Sequence, residues 1–205
     1  CEVSGSDAER IRTYWYVVQN IDFYPSGLNA ARRDKSNLAK LLSRDEGCLK
    51  QISEATQDKR DEVVEKIASE LQEGQGIMEK RFFGWINLQN QIAGKCVSIE
   101  FRRAGAIRYD LFQRKFGSEK AVDVKLATDL IRLKDIYDVA IILSGDQDYV
   151  PAVEAIKDYG KHTVSVAFLT GNGRLLPGGA KRLNQATDRS LEIKYIDLKK
   201  FLNIQ

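Results

Sequence analysis

A short apolar run that ends in a polar turn with two carboxylates most constrains how this 205-residue chain folds. Residues 140–143 (AIIL) are followed directly by the turn sequence SGDQD at 144–148. An apolar run bounded by turn residues is typical of a strand buried on both faces, as in a parallel sheet. The two acids then lie at the carboxyl end of that strand, where open α/β sheets place their ligand sites.

The two acids of this turn, Asp146 and Asp148, allow two interpretations. Carboxylates one residue apart repel each other unless a positive charge neutralises them, and a divalent cation with oxygen ligands does so. Alternatively, the segment is an ordinary turn in which Asp148 caps a helix beginning near Tyr149, with Pro151 close to its first turn. The buried strand before the turn and a second acidic segment upstream favour the metal site.

The second acidic segment is an amphipathic helix predicted from residue 122, because apolar residues recur at helical spacing through residue 133. Asp123 falls in the first turn beside the apolar stripe, so its carboxylate can face the carboxyl edge of the sheet. Asp129 comes six residues later and points in a different direction at 3.6 residues per turn. It is either a supporting residue of the site or an ion-pair partner of Lys125 at i, i+4.

These two segments, KAVDVKLATD at 120–129 and LSGDQDYVP at 143–151, together resemble the NYN domain, in the LabA-like branch of the PIN-like nuclease superfamily. Residues 160–168 (GKHTVSVAF) resemble the next strand of the family, and residues 12–17 (RTYWYV) resemble its aromatic second strand. The resemblance implies a metal-dependent ribonuclease that holds Mg²⁺ or Mn²⁺ with carboxylates at the sheet edge. The implied catalytic and metal-binding residues are Asp123, Asp146 and Asp148, with Ser144 of the same turn in support.

One part of the family pattern has no counterpart in this chain. The family opens with a strand that ends in Asp-Gly-x-Asn and supplies the first catalytic acid, whereas residues 1–9 are polar. Asp22 follows an apolar run and is therefore a candidate for this first acid. Its position relative to the helical insertion argues against that role, so we expect Asp22 to be a loop or cap residue. We therefore expect the first strand and its Asp to lie upstream of Cys1.

Strands that alternate with helices predict a three-layer α/β/α fold with a mostly parallel sheet, PIN-like or Rossmann-like. We expect one domain over residues 1–205, with a helical insertion at about 28–75. The predicted helices are 28–43, 49–72, 78–92, the Asp123 helix, 150–159 and 180–187. The predicted strands are 11–18, 96–101, a short piece at 106–112, the Ile141 strand, the Val164 strand and 191–196, with a loop at 171–179. Phe82, Trp85 and Leu88 are expected to face the core from the third helix.

Composition excludes several other classes of protein. Three cysteines without metal-ligand spacing fit a reducing compartment, so we expect a cytoplasmic protein. No apolar run approaches the roughly 20 residues of a membrane span, so no membrane partner is expected. A single histidine argues against a histidine-dependent triad or a histidine-rich zinc site.

The net charge of +3 alone says little about function, and the positions of the basic residues are more informative. Two basic pairs follow a predicted strand or open a late predicted helix, and we expect them to bind the backbone of single-stranded RNA: Arg102, Arg103, Lys181 and Arg182. The alternative for each pair is ordinary solvated surface charge. Asn184, on the same late helix, is expected to support the metal site through water, and a homodimer is left open.

Three functions are consistent with the sequence. The first is a metal-dependent endoribonuclease, in which bound metal activates a water and stabilises charge on the phosphate. The second is a catalytically inactive RNA-binding or scaffold module on the same fold, favoured if the first acid is missing. The third uses Asp146 and Asp148 as the Asp-x-Asp motif of a metal-dependent glycosyltransferase. Fold alone does not separate the three.

Overall fold

The computed structural model describes residues 8–170, 172, 174 and 181–202. These residues form two compact units. The N-terminal unit comprises residues 14–122. The C-terminal unit comprises residues 123–202 as far as they are described, together with 8–13. The predicted loop at 171–179 lies largely outside the described residues.

Four helices of the N-terminal unit follow its first strand: α1 (Leu28–Ala31), α2 (Lys35–Leu42), α3 (Glu46–Glu54) and α4 (Arg60–Lys95). Asp34 begins α2 by accepting hydrogen bonds from the backbone nitrogens of Ser36 and Asn37. Asp45 begins α3 in the same way, through the backbone nitrogen of Cys48. Because these caps and the break after Glu54 interrupt the pattern, the predicted helices 28–43 and 49–72 are each divided.

Helix α4 is continuous over 36 residues, about 54 Å at 1.5 Å per residue. The predicted break between residues 72 and 78 is wrong, because Gly74 and Gly76 are accommodated within the helix. One apolar stripe runs through its first half, with Val64, Ile67 and Met78 buried. Helical structure therefore extends from Leu28 to Lys95, beyond the insertion boundary of about 75, and the insertion itself stays a prediction.

The core of the N-terminal unit lies between α4 and the shorter helices, and it extends to the end of the second strand. Its buried members are Leu28, Leu38, Leu42, Cys48, Val64, Ile67, Ala68, Met78, Tyr109 and Leu111. Beyond Met78, the half-buried positions of α4 include Phe82 and Ile86, whereas Trp85 and Leu88 are exposed. The expectation that Trp85 and Leu88 face the core is therefore wrong.

Three strands complete this unit in the order β1 (Thr13–Tyr24), β2 (Ile99–Asp110) and β3 (Lys115–Lys120). β2 is continuous, so the predicted pieces at 96–101 and 106–112 belong to one strand. β3, which was not predicted, pairs with β2 in antiparallel fashion. Asp22 lies within β1, which corrects its assignment to a loop or cap. Gly105 has φ 58°, and a Cβ there would lie 1.7 Å from the carbonyl oxygen of Lys120, so the hairpin requires glycine.

The C-terminal unit is a parallel α/β structure. Its sheet has the order β4 (Val139–Ile142), β5 (His162–Leu169), β6 (Arg189–Lys194), and both pairings are parallel. The helices are α5 (Val122–Arg132), α6 (Val150–Asp158), α7 (Lys181–Ala186) and α8 (Tyr195–Leu202), with 3₁₀ turns at Lys134–Ile136 and Gln147–Tyr149. The predicted α/β class is confirmed. The last strand was expected to reach Ile196, but β6 ends at Lys194 and α8 begins at Tyr195.

A small core joins the elements around the carboxyl end of β4. Ile142, Tyr149, Val153 and Leu183 are buried together, and Leu126 of α5 packs against them with its apolar neighbours. Helices α5, α6 and α7 therefore meet at the turn that carries the two predicted acids. No helix in the described part of the chain is long and apolar enough to cross a membrane.

Candidate functional site

The turn after β4 is fixed by its own polar side chains. Ser144 Oγ accepts a hydrogen bond of 3.1 Å from the backbone nitrogen of Asp146. Asp146 Oδ1 accepts one of 2.9 Å from the backbone nitrogen of Asp148 and so begins the 3₁₀ turn 147–149. Helix α6 follows with Pro151 in its first turn. The capping acid is thus Asp146, whereas the sequence had offered Asp148 for that role.

A buried tyrosine connects the turn to α5. Tyr149 is 4% exposed, and its hydroxyl donates a hydrogen bond of 2.5 Å to Asp123 Oδ1. Burial raises the pKa of Tyr149, the hydrogen bond to Asp123 and the charges of Asp123 and Asp146 raise it further, and the nearby Ser144 hydroxyl acts in the opposite direction. One phenol therefore hydrogen-bonds to Asp123 and lies near Asp146 and Ser144, and all three residues were selected from the sequence.

Sequence reasoning missed Tyr149. A tyrosine next to an acidic turn is usually a core residue, and its ring does lie in the small core with Val153 and Leu183. The available signal was its position one residue after Asp148, at the start of a helix, where its side chain can reach back to a neighbouring element. Its polar end makes it a link between core packing and the acids.

The three predicted metal ligands differ in their surroundings. Asp123 and Asp146 are half-buried around Tyr149, and Asp148 is exposed. Within the ranges 8–170, 172, 174 and 181–202, no three His, Cys, Asp or Glu side chains lie close enough together to hold a metal ion. The donor chemistry nevertheless fits Mg²⁺ or Mn²⁺, since both prefer carboxylate oxygens. The assignment of all three as metal ligands stays a prediction.

Asp129, a predicted supporting residue, forms ion pairs with other residues of its own helix. Its carboxylate is fully buried and pairs with Lys125 at 3.2 Å and with Arg132 at 3.1 Å. The sequence offered the Lys125 pair as one of two interpretations, and that contact is present. Burying an unpaired carboxylate costs free energy, so these two ion pairs account for the burial of Asp129.

Helix α7 carries the remaining supporting residue. Asn184 is half-buried next to Leu183, which packs in the same small core as Tyr149. The backbone oxygen of Asn184 accepts a bond of 3.3 Å from Thr187 Oγ1. Asn184 is therefore on a helix that packs against the acidic turn, and its support of a metal through water stays a prediction.

The four predicted RNA-binding residues fall in two settings. Arg102 is 13% exposed, pairs with Glu100 at 2.9 Å and lies 4.3 Å above the ring of Tyr14. Arg103 donates to Gln89 and Asn90 of α4. Lys181 and Arg182, by contrast, are exposed at the start of α7. Arg102 and Arg103 thus have structural contacts within the N-terminal unit, while Lys181 and Arg182 extend into solvent near the candidate site.

The comparisons with known proteins define the class of this chain. The sequence model of the NYN domain matches residues 52–194, more than half of the chain, and includes both acidic segments. The protein belongs to the NYN domain family. This family is placed in the PIN-like nuclease superfamily, its nucleases generally use divalent metals, and its domains generally act on RNA. The LabA-like branch and the location of the first strand stay predictions.

Among solved structures, the chain is similar to a protein of unknown function from Vibrio parahaemolyticus. The two are 25% identical, and the alignment covers 56% of this chain and 60% of that one, with a TM-score of 0.37. The chain therefore matches less than two thirds of the length of the Vibrio protein. No curated protein matches this chain.

Proposed function

We propose that this protein is a metal-dependent endoribonuclease that hydrolyses phosphodiester bonds in single-stranded RNA. The observation that carries the proposal is the interaction of Asp123 and Asp146 with one buried tyrosine at the carboxyl end of β4. Asp123 accepts the hydrogen bond of Tyr149, and the charges of Asp123 and Asp146 both raise the pKa of that phenol, so two acids from separate elements surround one side chain. Like charges near one another are typical of sites that bind cations. Membership of the NYN family supports the choice of RNA and of a nuclease.

In this proposal Asp123, Asp146 and Asp148 hold Mg²⁺ or Mn²⁺. When bound, such an ion lowers the pKa of a coordinated water and stabilises charge developing on the phosphate. The protein's own contribution is positional. Tyr149 orients the carboxylate of Asp123, and Ser144 with Asp146 fixes the backbone of the turn. Asp148, at the exposed end of the turn, binds the ion or orients the attacking water.

Hydrolysis forms a bond between the oxygen of water and phosphorus and breaks the bond to the leaving ribose oxygen. The cations that would hold the substrate phosphates are Lys181 and Arg182, which are exposed on the helix that packs against the 147–149 turn. Phosphate contacts of this kind position the nucleic acid without reading its sequence. We therefore expect cleavage with little sequence preference at this site.

The deciding experiment compares Asp146→Asn with Asp138→Asn in the full-length protein. Asp138 lies just before the amino end of β4 with a 97% exposed side chain, so its substitution removes the same charge from the opposite end of the strand. Cleavage of a single-stranded RNA is measured with Mn²⁺, with Mg²⁺ and with EDTA. We expect metal-dependent cleavage that Asp146→Asn abolishes and Asp138→Asn retains.

Equal cleavage by Asp146→Asn and the parent would overturn the catalytic assignment. A second candidate, an inactive RNA-binding module, is favoured by the lack of a three-acid metal cluster among the described residues. That module would bind RNA in every variant and show no metal-dependent cleavage even in the parent. The family match gives no support to the glycosyltransferase interpretation.

A further inference from the structure

The second half of α4 presents apolar side chains to solvent. Ile77, Trp85 and Leu88 are 48%, 62% and 46% exposed. Together with Arg81 and Gly84 they lie within about 100° of arc at 100° per residue, and so share one face of the helix. We call these five residues the α4 face. An exposed apolar strip of this kind, rather than a scattered hydrophobic residue, indicates an interaction surface.

A shallow depression lies in the middle of the α4 face. Arg81, Gly84, Trp85 and Leu88 line it, and its volume is about 310 Å³. The depression exists because position 84 has no side chain, and a Cβ built there would meet nothing within 4 Å. Its volume is at the lower end of the roughly 300–1,000 Å³ of small-molecule sites. A single flat ring can therefore lie beside the Trp85 indole above Gly84.

Cations accompany the exposed aromatic side chain. Lys80 and Arg81 are both exposed. Among the described residues no ion pair or hydrogen bond involves either side chain. Surfaces that bind single-stranded nucleic acid combine aromatic rings, which stack on bases, with cations that follow the phosphates. Trp85 with Arg81 and Lys80 supplies both components within six residues.

We propose that the α4 face binds single-stranded RNA, with one base stacked on Trp85 over Gly84 and the adjoining phosphates bound by Arg81 on the face and by Lys80 beside its edge. The choice of RNA rests on the proposed function, whereas the surface itself is defined by exposure and charge. A second copy of the chain fits less well. A symmetric dimer through this face would bring two Arg81 side chains together in an apolar contact, where like charges are unfavourable.

The experiment uses full-length protein carrying Asp146→Asn and Trp15→Phe, in EDTA, with a fluorescently labelled oligouridine as probe. The first substitution and EDTA prevent cleavage. The second leaves Trp85 as the sole tryptophan of these 205 residues and retains an aromatic ring at position 15, where Trp15 stacks on Phe101 at 5.4 Å. We expect oligouridine to quench Trp85 fluorescence and to bind with an affinity that falls steeply with salt.

Two variants then test the stacking site. Gly84→Leu fills the depression and replaces glycine inside a helix by a better helix former, so the melting temperature should hold or rise while binding weakens about tenfold. Trp85→Ala should weaken binding by roughly 5- to 150-fold, the range expected for losing one stacked base, and Trp85→Phe should recover most of it. A purely structural role of Trp85 would not predict loss of binding in the stable Gly84→Leu protein.

Unchanged affinity in both Gly84→Leu and Trp85→Ala would overturn the proposal, as would failure of the parent to bind oligouridine. A parent that sediments as a dimer and becomes a monomer on Trp85→Ala would assign the α4 face to a second copy. The cleavage test with Asp146→Asn is independent. If the parent cleaves RNA and the α4 variants bind it normally, the nuclease proposal holds and the α4 face is excluded as an RNA-binding surface. If RNA quenches Trp85 fluorescence but is not cleaved, the α4 face binds RNA and the nuclease proposal fails.

Discussion

Tyr149 donates a hydrogen bond of 2.5 Å to Asp123 across 26 positions of sequence, and it joins the acidic turn after β4 to the first turn of α5. The ring is buried and the carboxylate is half-buried, so the bond is partly shielded from water. A phenol that donates to a carboxylate fixes the orientation of that carboxylate. The two acidic segments are thereby held in one arrangement.

Tyr149→Phe tests this link directly. It removes the hydroxyl and leaves the ring in the core, so we expect the unfolding free energy to fall by about 1–2 kcal/mol. We also expect RNA cleavage to fall and the Mn²⁺ concentration for half-maximal activity to rise, because Asp123 loses its orienting donor. Chemical denaturation and a metal titration of cleavage measure the two effects.

Tyr137→Phe is the matched control for that substitution. The Tyr137 hydroxyl also donates a bond of 2.5 Å, but to the backbone oxygen of Leu130, and burial raises its pKa to about 12. This variant should lose similar stability and keep the metal response of the parent. An identical metal response in Tyr149→Phe would contradict an orienting role for Tyr149.

Asp188 should make stability depend on pH. Burial alone would raise the pKa of Asp188, but hydrogen bonds from the Thr163 backbone and hydroxyl and the ion pair with Lys157 outweigh it and lower that pKa. Its contribution is therefore present above the unfolded pKa of about 3.9 and is lost as the pH falls through the lower folded pKa. Because solvent screens the interactions of this partly exposed carboxylate, Asp188→Asn should cost only about 1 kcal/mol at pH 7, and less below about pH 4.

Denaturation curves at pH 7 and near pH 3 measure this difference. Asp138→Asn serves as the control, because its exposed pair with Lys161 contributes little at either pH. A stability loss in Asp188→Asn that does not shrink in acid would disprove the contribution of its charge.

The exposed pair on α7 should bind phosphate without affecting stability. For Lys181→Ala with Arg182→Ala, we expect RNA affinity to fall and the slope of log affinity against log salt to decrease by about 1.4, or 0.7 per single-strand phosphate contact. The melting temperature should stay within the small range typical of surface substitutions. An unchanged salt slope would exclude this pair from the interface.

Arg102→Ala with Arg103→Ala should behave differently. Arg102 is packed on Tyr14 and paired with Glu100, and Arg103 bonds to α4, so their loss should destabilise the N-terminal unit by about 1–2 kcal/mol. RNA binding measured well below the melting temperature then shows whether these side chains also contact phosphate. A reduced salt slope would support their predicted role, and an unchanged slope would argue against it.

The cysteines at positions 48 and 96 should differ in reactivity. Burial, and then the nearby Asp45, raise the pKa of Cys48 to about 11, whereas Cys96 is exposed. At pH 8 about one Cys48 in a thousand is thiolate, the reactive form. In a Cys1→Ser background, a disulfide reagent should label one thiol rapidly and the second only with denaturant. Rapid labelling of both would show that the core around Cys48 is open.

The sequence determined the elements whose signal is local. The apolar run at 140–143, the capped turn after it and the periodic helix from 122 each follow from a pattern within a dozen residues, and each is present as β4, the 147–149 turn and α5. Their order along the chain also predicts the parallel sheet, because the helix between two strands brings the chain back to the end at which the first strand began, and the next strand then runs in the same direction. The candidate acids could therefore be selected without coordinates.

Only the tertiary structure decided which faces find a partner. Asp123 and Tyr149 are 26 positions apart, so no local pattern joins them, whereas folding brings their side chains into contact beside one small core. Trp85 and Leu88 have the spacing of core residues but remain exposed, because the covered side of α4 beyond Met78 is that of Phe82 and Ile86. Periodicity defines a face of a helix. Whether that face is buried depends on elements distant in sequence, and their packing is a property of the folded chain as a whole.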